Sequence, residues 1–372
     1  MTRAASARAT TRRTIRPIAA GLVAVAAAII GTLVYQAAWS SATSPPRPGT
    51  ARPVPVTPRN GPLGTIAWPA AGVSAADVSG IGVLPGPGAS RPVPIASVAK
   101  VMTAYVILLD HPLGAGEPGP AIVVQPSEAA AYPAQASNGD SLVPVTAGEQ
   151  LTERQALEAL LLPSADNMAW ILARWDAGSQ AAFTAQMNTT ARRLGMTATH
   201  YTDPSGLSAS TTSTAADQVR LGMAAMSEPA LAQIVALRSA VIPVAGMVRN
   251  YNTLLGQDGI AGLKTGSDTA AGGCILLAAW QQARGHGTLI VAATLGQPGT
   301  MATMVPTALQ AGRQLVQALE RALTGQSAQY ISGNKAGKHP ADQPPQSRAT
   351  RRPRPRPLPD QPRRAPRAEV LT

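Results

Sequence analysis

Cysteine, histidine and lysine are scarce in this 372-residue chain. A single cysteine, Cys274, excludes a disulfide scaffold and cannot supply a thiolate zinc cluster. The four histidines are scattered at 111, 200, 286 and 339, with no H-E-x-x-H spacing, which argues against a metallohydrolase. No G-x-S-x-G elbow is present, so a Ser-His-Asp hydrolase of that type is not expected. There is no internal repeat. A hydrophobic fraction of 45% is ordinary for a globular chain and excludes wholesale disorder. The length allows one large domain or two small ones.

The net charge of +12 belongs to the two ends. Residues 1–16 carry five arginines and no acid, and residues 335–372 carry ten basic and three acidic residues. The stretch between them, 17–334, holds 16 of each sign and is neutral. A nucleic-acid-binding core would be expected to carry its own basic patch, so no nucleic-acid partner is expected. Lysine use is more informative. Against 27 arginines there are four lysines, two of them, Lys335 and Lys338, in the basic tail. The neutral stretch keeps only Lys100 and Lys264. Arginine cannot act as a base, whereas lysine can once its pKa is lowered, which marks these two as candidates. Codon bias with two accidental survivors is the bland alternative.

Residues 17–35 (PIAAGLVAVAAAIIGTLVY) are uncharged. At 1.5 Å per residue they span roughly 28 Å, enough to cross a bilayer core. With the five arginines in front, the positive-inside rule puts residues 1–16 in the cytoplasm, an anchor at 17–39 and the rest outside the cell membrane. A signal peptide cleaved near Ser40 or Ala42 is the alternative, and it exports the domain equally. Residues 40–63 read as a Pro-rich extended linker. Residues 64–325 read as one folded unit, and 326–372 as a disordered Arg/Pro-rich tail. The tail has three readings: a solvated spacer, a contact with anionic wall polymer or lipid headgroups, or a polyproline partner site at RPRPRPLP.

Within the folded unit, β-like runs at Val73–Val78 and Ile81–Leu84 precede an amphipathic helix after Ser97. Thr152 opens a helix with a T-E-R-Q capping box, and Pro163 ends or kinks it. Further helices are expected at Ser179–Leu194, Thr214–Met226 and about 301–323. Cys274–Trp280 and Thr288–Leu295 flank a turn at QQARGHG and read as a hairpin. Strands at both ends with helices between predict an α+β (α/β) fold: an antiparallel sheet with helices packed on it.

Three short segments could carry chemistry. Ser97 and Lys100 stand at i and i+3 of a helix start, on one face, where a neutral lysine could take the serine proton. Alone, this reads equally as an N-cap serine with an incidental lysine. Lys264-Thr265-Gly266 precedes an apolar strand and could hold a carboxylate by charge and hydroxyl, with Gly266 letting a substrate backbone approach. Ser164-Ala165-Asp166-Asn167 follows Pro163; Ser164 could relay a proton and a neighbouring polar side chain could hold an amide, or the segment could simply cap the next helix.

Together they fall in the order S-x-x-K, S-x-[D/N], K-T-G, and the only two lysines of the neutral stretch lie in the first and third. In this the sequence resembles the penicillin-recognising serine enzymes. It resembles most the low-molecular-mass D-alanyl-D-alanine carboxypeptidases of actinobacterial type, through PIASVAKVMTAYVILLDHPL, LEALLLPSADNMAWILARWDAG, THYTDPSGL and VRNYNTLLGQDGIAGLKTGSDTAAGG. The resemblance covers about residues 65–325. It implies a five-stranded antiparallel sheet with flanking helices plus a helical subdomain, the site lying between them. It implies Ser97 as acyl-enzyme nucleophile, Lys100 as base, Ser164 as relay, and Lys264 with Thr265 as the carboxylate site. Backbone N–H groups of Ser97 and of a strand residue near Ser267 would form the oxyanion hole. The implied substrate is the peptidoglycan stem peptide, with β-lactams as covalent inhibitors and no metal or organic cofactor.

The family's middle motif is Ser-x-Asn, and the third place here is Asp166, followed by Asn167. An ionised aspartate cannot donate to a substrate carbonyl, and it would compete as an anion for Lys100, making it a poorer base. Either Asn167 takes over, or activity is reduced, or Asp166 is held protonated. That departure keeps open a non-catalytic or β-lactam-sensing wall-binding protein on the same fold. A transpeptidase or endopeptidase using the same acyl-enzyme is a further alternative. Class A β-lactamases share two of the motifs, but their S-D-N is out of register with SADN by one residue, and Glu228 before Pro229 offers no deacylating glutamate loop. Cys274, in a strongly apolar run, is expected to be buried and inert. Structural roles are expected for His200, Trp170 and Trp175.

Overall fold

The structure is a computed structural model that describes residues 56–61, 63–283 and 285–336. The chain divides into two units, Met1–Ala328 and Gln329–Thr372. The anchor expected at 17–39 and most of the basic tail lie outside the described residues. Among the described residues no helix is long and apolar enough to cross a membrane.

The chain opens with β1 (Val56–Gly61), β2 (Gly64–Pro69), β3 (Val73–Val78), β4 (Gly82–Pro85) and β5 (Val93–Pro94). A 3-10 turn (Ala96–Ala99) then leads into α1 (Lys100–Asp110). Next come β6 (Ala121–Val123), α2 (Pro126–Ser137), β7 (Gln150–Thr152), α3 (Glu153–Leu161), α4 (Asp166–Ala177) and α5 (Gln180–Arg193). They are followed by β8 (Thr212–Ser213), α6 (Ala215–Met226), α7 (Pro229–Val235), β9 (Ser239–Ile242) and β10 (Gly246–Arg249). The last elements are β11 (Ile260–Asp268), β12 (Gly272–Ala283), β13 (His286–Gln297) and α8 (Met304–Ala336).

The expected five-stranded antiparallel sheet is present, in the order β11-β12-β13-β3-β4. Successive side chains of a strand point to opposite faces, and here both faces are covered. Cys274, Leu276 and Ala278 of β12, with Leu289, Val291 and Ala293 of β13, join a core shared with α1 and α3 to α7. Ile275, Leu277 and Ala279, with Ile290 and Ala292, join a second core with α8. The two-sided burial explains why these strands are continuous apolar runs rather than alternating ones. Glycine allows close approach on each face: a Cβ on Gly222 would stand 2.5 Å from Val291, and one on Gly312 2.8 Å from Leu277.

The expected N-caps form as read. Thr152 and Gln155 make the reciprocal capping box of α3. Ser179 caps α5 and Thr214 caps α6 through the amides of Ala182 and Asp217. Three boundaries differ. The Pro-rich stretch expected to be linker up to residue 63 already contains β1, paired with β2 from Val56↔Pro69 to Gly61↔Gly64. One proline of the expected linker, Pro58, sits in this two-stranded ribbon, where no central ladder is broken. The two strands reach into the turn expected over QQARGHG, since Ala283 pairs with His286. Helix α8 continues to Ala336, beyond the expected end near 323. The helix after Ser97 is not amphipathic: Lys100 to Ala104 and Val106 to Leu108 are all buried.

The start of α3 carries a strained charge. Glu153 is fully buried and neither carboxyl oxygen has a hydrogen-bond partner. Burial, with the charge of Asp176 second, pushes its carboxyl up to about 7. The folded protein therefore binds a proton that the unfolded chain releases near its ordinary value. The stabilisation is full at acid pH and is lost as pH rises through about 7. Thermal unfolding should accordingly show a melting temperature that falls between mildly acidic and mildly alkaline pH by roughly 5–10 °C. The Glu153→Gln variant should show a flatter profile and be the more stable protein on the alkaline side. Parallel profiles for the two proteins would refute this assignment.

Candidate active site

Pro92 and Pro94 hold the approach to Ser97 extended, and the chain then turns abruptly at Ala96, whose φ is 45°. The 3-10 turn leaves Ser97 half-buried and carries Lys100 into the interior, where it is 0% exposed. The i, i+3 spacing brings the two together: Lys100 Nζ donates to Ser97 Oγ at 2.8 Å. An accessible hydroxyl thus touches an amine sealed from water.

Pro163 has the effect expected of it. Helix α3 stops at Leu161, and Ser164 adopts a left-handed φ of 66°, rare for a residue with a side chain. That break turns the Ser164 hydroxyl towards Lys100, whose Nζ lies 3.3 Å away. Asp166 then opens α4 and is almost fully buried, with Oδ1 2.6 Å from Lys100 Nζ. Its Oδ2 accepts the Ser141 N–H at 2.9 Å, and its own N–H donates to the Ser141 carbonyl at 2.6 Å. Asn167 does not take over the amide role. Its Oδ1 accepts the Val143 N–H at 3.2 Å and its Nδ2 donates to the Val143 carbonyl at 2.8 Å. The two side chains together clamp the 141–143 segment against the motif.

Lys264, Thr265, Gly266 and Ser267 lie in β11 at the edge of the sheet, paired with Leu276, Ile275, Cys274 and Gly273. Lys264 is buried, and its Nζ donates to the Thr265 carbonyl at 2.9 Å. Burial pushes its ammonium well below the usual lysine range; the Lys100 charge pushes the same way and Asp166 opposes. Gly266 has a different reason from the expected one. A Cβ there would stand 3.0 Å from the backbone nitrogens of Ser97 and Val98 and 3.1 Å from the Ile95 carbonyl. Glycine lets the edge strand lie against the turn that carries Ser97, so the contact it admits is internal.

Two further groups face this cluster and were not singled out in the sequence. Asp140, adjoining the clamped segment, is half-buried; burial and the Asp166 charge push its carboxyl up while Lys100 opposes. Burial first, then Asp166, pushes the Tyr251 hydroxyl up. Asp203 is a third omission, and T-D-P-S-G-L was its signal, since an aspartate ahead of Pro, Ser and Gly is turn chemistry. Its Oδ1 accepts from the amides of Ser205, Gly206 and Leu207 and from Ser205 Oγ, and its Oδ2 from Ser208 N–H and Thr211 Oγ1. Burial raises its carboxyl, but these hydrogen bonds outweigh it and hold the group below the usual range. The loop so fixed supports the nucleophile turn: a Cβ on Gly206 would lie 1.9 Å from the Ala96 carbonyl oxygen.

Cys274, His200 and Trp175, expected to be structural, are so placed. Cys274 is fully buried, which pushes its thiol up to about 12. His200 exchanges both backbone hydrogen bonds with Thr212. Trp175 stacks on His111, ring centroids 4.1 Å apart.

The D-alanyl-D-alanine endopeptidase of Pseudomonas aeruginosa is 34% identical over 194 residues, covering 50% of this chain and 59% of that protein. The D-alanyl-D-alanine carboxypeptidase DacB2 of Mycobacterium tuberculosis is 40% identical over 161 residues, covering 41% of this chain and 54% of that protein. The chain thus spans less than two thirds of the length of these curated relatives. Among solved structures, the D-alanyl-D-alanine carboxypeptidase of M. tuberculosis superposes with a TM-score of 0.57 at 31% identity, over 73% of this chain and 94% of that one. The DD-transpeptidase of Streptomyces strain K15 superposes with a TM-score of 0.58 at 25% identity, over 67% and 96%. Residues 77–297, more than half of the sequence and all three motifs, match the D-alanyl-D-alanine carboxypeptidase family, and the chain belongs to it.

Proposed function

We propose that the chain is a serine-type D-Ala-D-Ala carboxypeptidase that removes the terminal D-alanine from peptidoglycan stem peptides. The reading rests on one observation above the others: an accessible Ser97 hydroxyl 2.8 Å from the amine of a fully buried lysine. Lys100, after passing its own proton to Asp166 at 2.6 Å, takes the Ser97 proton as Oγ attacks the penultimate D-Ala carbonyl. Backbone N–H groups of Ser97 and of a β11 residue near Ser267 stabilise the developing oxyanion. Ser164 passes the proton on to the leaving nitrogen, D-alanine departs, and water then cleaves the acyl-enzyme with Lys100 again as base. Lys264 and Thr265 hold the terminal carboxylate. β-Lactams acylate the same serine, with their ring nitrogen as the leaving atom. An anchor at 17–39 would keep the domain at the outer face of the membrane, and the basic tail would meet anionic wall polymer.

The test uses the full chain with a fluorescent penicillin and, in parallel, a pentapeptide ending in D-Ala-D-Ala. Label at Ser97 and free D-alanine, both absent from Ser97→Ala, are the expected results. A folded protein that neither labels nor releases D-alanine would sink the catalytic reading. Relatives named endopeptidase support a second substrate, a cross-linked dimer opened at its D-Ala bond, and the same assay on that dimer tests it. Labelling without release from either substrate would instead favour a β-lactam-sensing or wall-binding protein.

A further inference from the structure

The site holds two buried lysines and one closely paired carboxylate, and the pairing is one-sided. Lys100 has Asp166 at 2.6 Å. Lys264, 1% exposed, donates to a neutral acceptor, the Thr265 carbonyl. Among the described residues no carboxylate lies within ion-pair distance of Lys264; Asp166 points its Oδ1 at Lys100 and its Oδ2 at the Ser141 N–H. A second ammonium held beside the first, with no anion of its own, is a poorly compensated buried charge. Among the described residues, Asp140 feels the charges of Asp166 and Lys100 and Tyr251 that of Asp166, and burial disfavours the ionised form of each. Burial and the Lys100 charge, partly opposed by Asp166, also disfavour the charged form of Lys264 itself.

We propose that Lys264 is an uncharged amine in the free protein and gains one proton from solvent when a ligand's terminal carboxylate arrives, so that the site binds carboxylate and proton together. The inference rests on the carboxypeptidase reading for where the carboxylate sits. No bond changes except the new N–H on the Lys264 lone pair. The sign follows from linkage. Binding raises the lysine's proton affinity, so ligand affinity is full below its free-state pKa. It then falls about tenfold per pH unit above it, until the bound-state pKa is reached. A ligand ending in an amide brings no charge and couples to no proton. The preference for free carboxyl ends is therefore largest on the acid side and fades as pH rises.

Calorimetry on the full-length Ser97→Ala protein, in two buffers of different ionisation enthalpy at mildly alkaline pH, reads the proton count directly. The ligand is a diacylated tripeptide ending in D-Ala-D-Ala, and its C-terminal amide is the control. Uptake of about one proton with the acid and none with the amide is expected. Adding Lys264→Arg, which burial does not discharge, should abolish the uptake in whatever binding remains. Zero uptake with the acid, or no difference between acid and amide, overturns the proposal. A second readout needs no variant at Lys264. The chain has four lysines, two of them in the tail, so side-chain lysine NMR resolves the two in the groove. Lys264 should be neutral alone and charged with ligand; a charged Lys264 in the free protein overturns the proposal. Penicillin labelling of the unaltered chain keeps the two readings apart. Label at Ser97 without proton uptake removes this inference alone, whereas absence of label removes the proposed function.

Discussion

Replacing Lys100 with methionine should lower the rate of Ser97 acylation by penicillin on the order of 10³–10⁴-fold. The lysine is the only basic side chain hydrogen-bonded to Ser97 among the described residues, at 2.8 Å. Without it the hydroxyl has no acceptor for its proton. Methionine is close to lysine in length and is apolar, so the 0% exposed site can be filled. The variant nevertheless carries a second defect. Asp166 keeps the Ser141 N–H but loses the ammonium at 2.6 Å, and an uncompensated buried carboxylate costs about 3–5 kcal/mol. The double variant Lys100→Met/Asp166→Asn separates the effects. An asparagine oxygen can still accept from Ser141, so most of the stability should return while acylation stays lost. Stopped-flow labelling together with thermal unfolding of the two variants gives both numbers. Rapid labelling by Lys100→Met would remove Lys100 from the mechanism. A double variant no more stable than the single one would mean that the cost lies in packing rather than in the orphaned charge.

That coupling marks the limit of what the sequence could be read for. The long apolar strands were legible because β12 and β13 are buried on both faces and therefore hydrophobic without interruption. The helix starts at Thr152, Ser179 and Thr214 were legible because a cap is a local hydrogen bond, written within four residues. The site residues were legible through scarcity, since only two lysines lie outside the basic tail. What stayed hidden depends on contacts distant in sequence. Asn167 looked like a replacement for the family's amide, but Val143, 24 residues away, takes both ends of its side chain. The short ribbons β6–β7 and β9–β10 have three or four residues per strand, too few for a period to show. Strand β1 was hidden by composition, because its Pro58 suits a linker as well as a two-stranded edge. Gly266 was identified as important for the wrong reason. The sequence shows that a backbone must approach, and only the fold shows that it is the backbone of Ser97.

That approach predicts an unusual separation of activity from stability. Gly266→Ala should slow acylation by about 10- to 100-fold while costing only ~1–2 kcal/mol of folding free energy. Gly266 lies in a regular strand, so alanine suits its backbone. The added methyl would stand 3.0 Å from the nitrogens of Ser97 and Val98, atoms that cannot rotate away as a side chain would. Either β11 or the 3-10 turn must shift by a few tenths of an ångström. β11 is an edge strand, free on one side, and can give way at small energetic cost. The nucleophile, however, sits on the other side of that contact, and β11 carries Lys264, Thr265 and Ser267 with it. A displacement too small to unfold the protein still misaligns the serine with the groups that would hold the substrate. Gly206→Ala presses on the same turn from beneath and should behave in the opposite way. Its φ is +81°, and its methyl would lie 1.9 Å from the Ala96 carbonyl, in a loop that Asp203 holds by six hydrogen bonds. Neither side of that contact can yield, so the loss should appear first in the melting temperature. Acylation rates and melting temperatures for the two variants, measured side by side, decide the matter. If Gly266→Ala acylates at the unaltered rate, the strand is not what aligns Ser97. If Gly206→Ala melts with the parent protein, the loop beneath the nucleophile is softer than its hydrogen bonds imply.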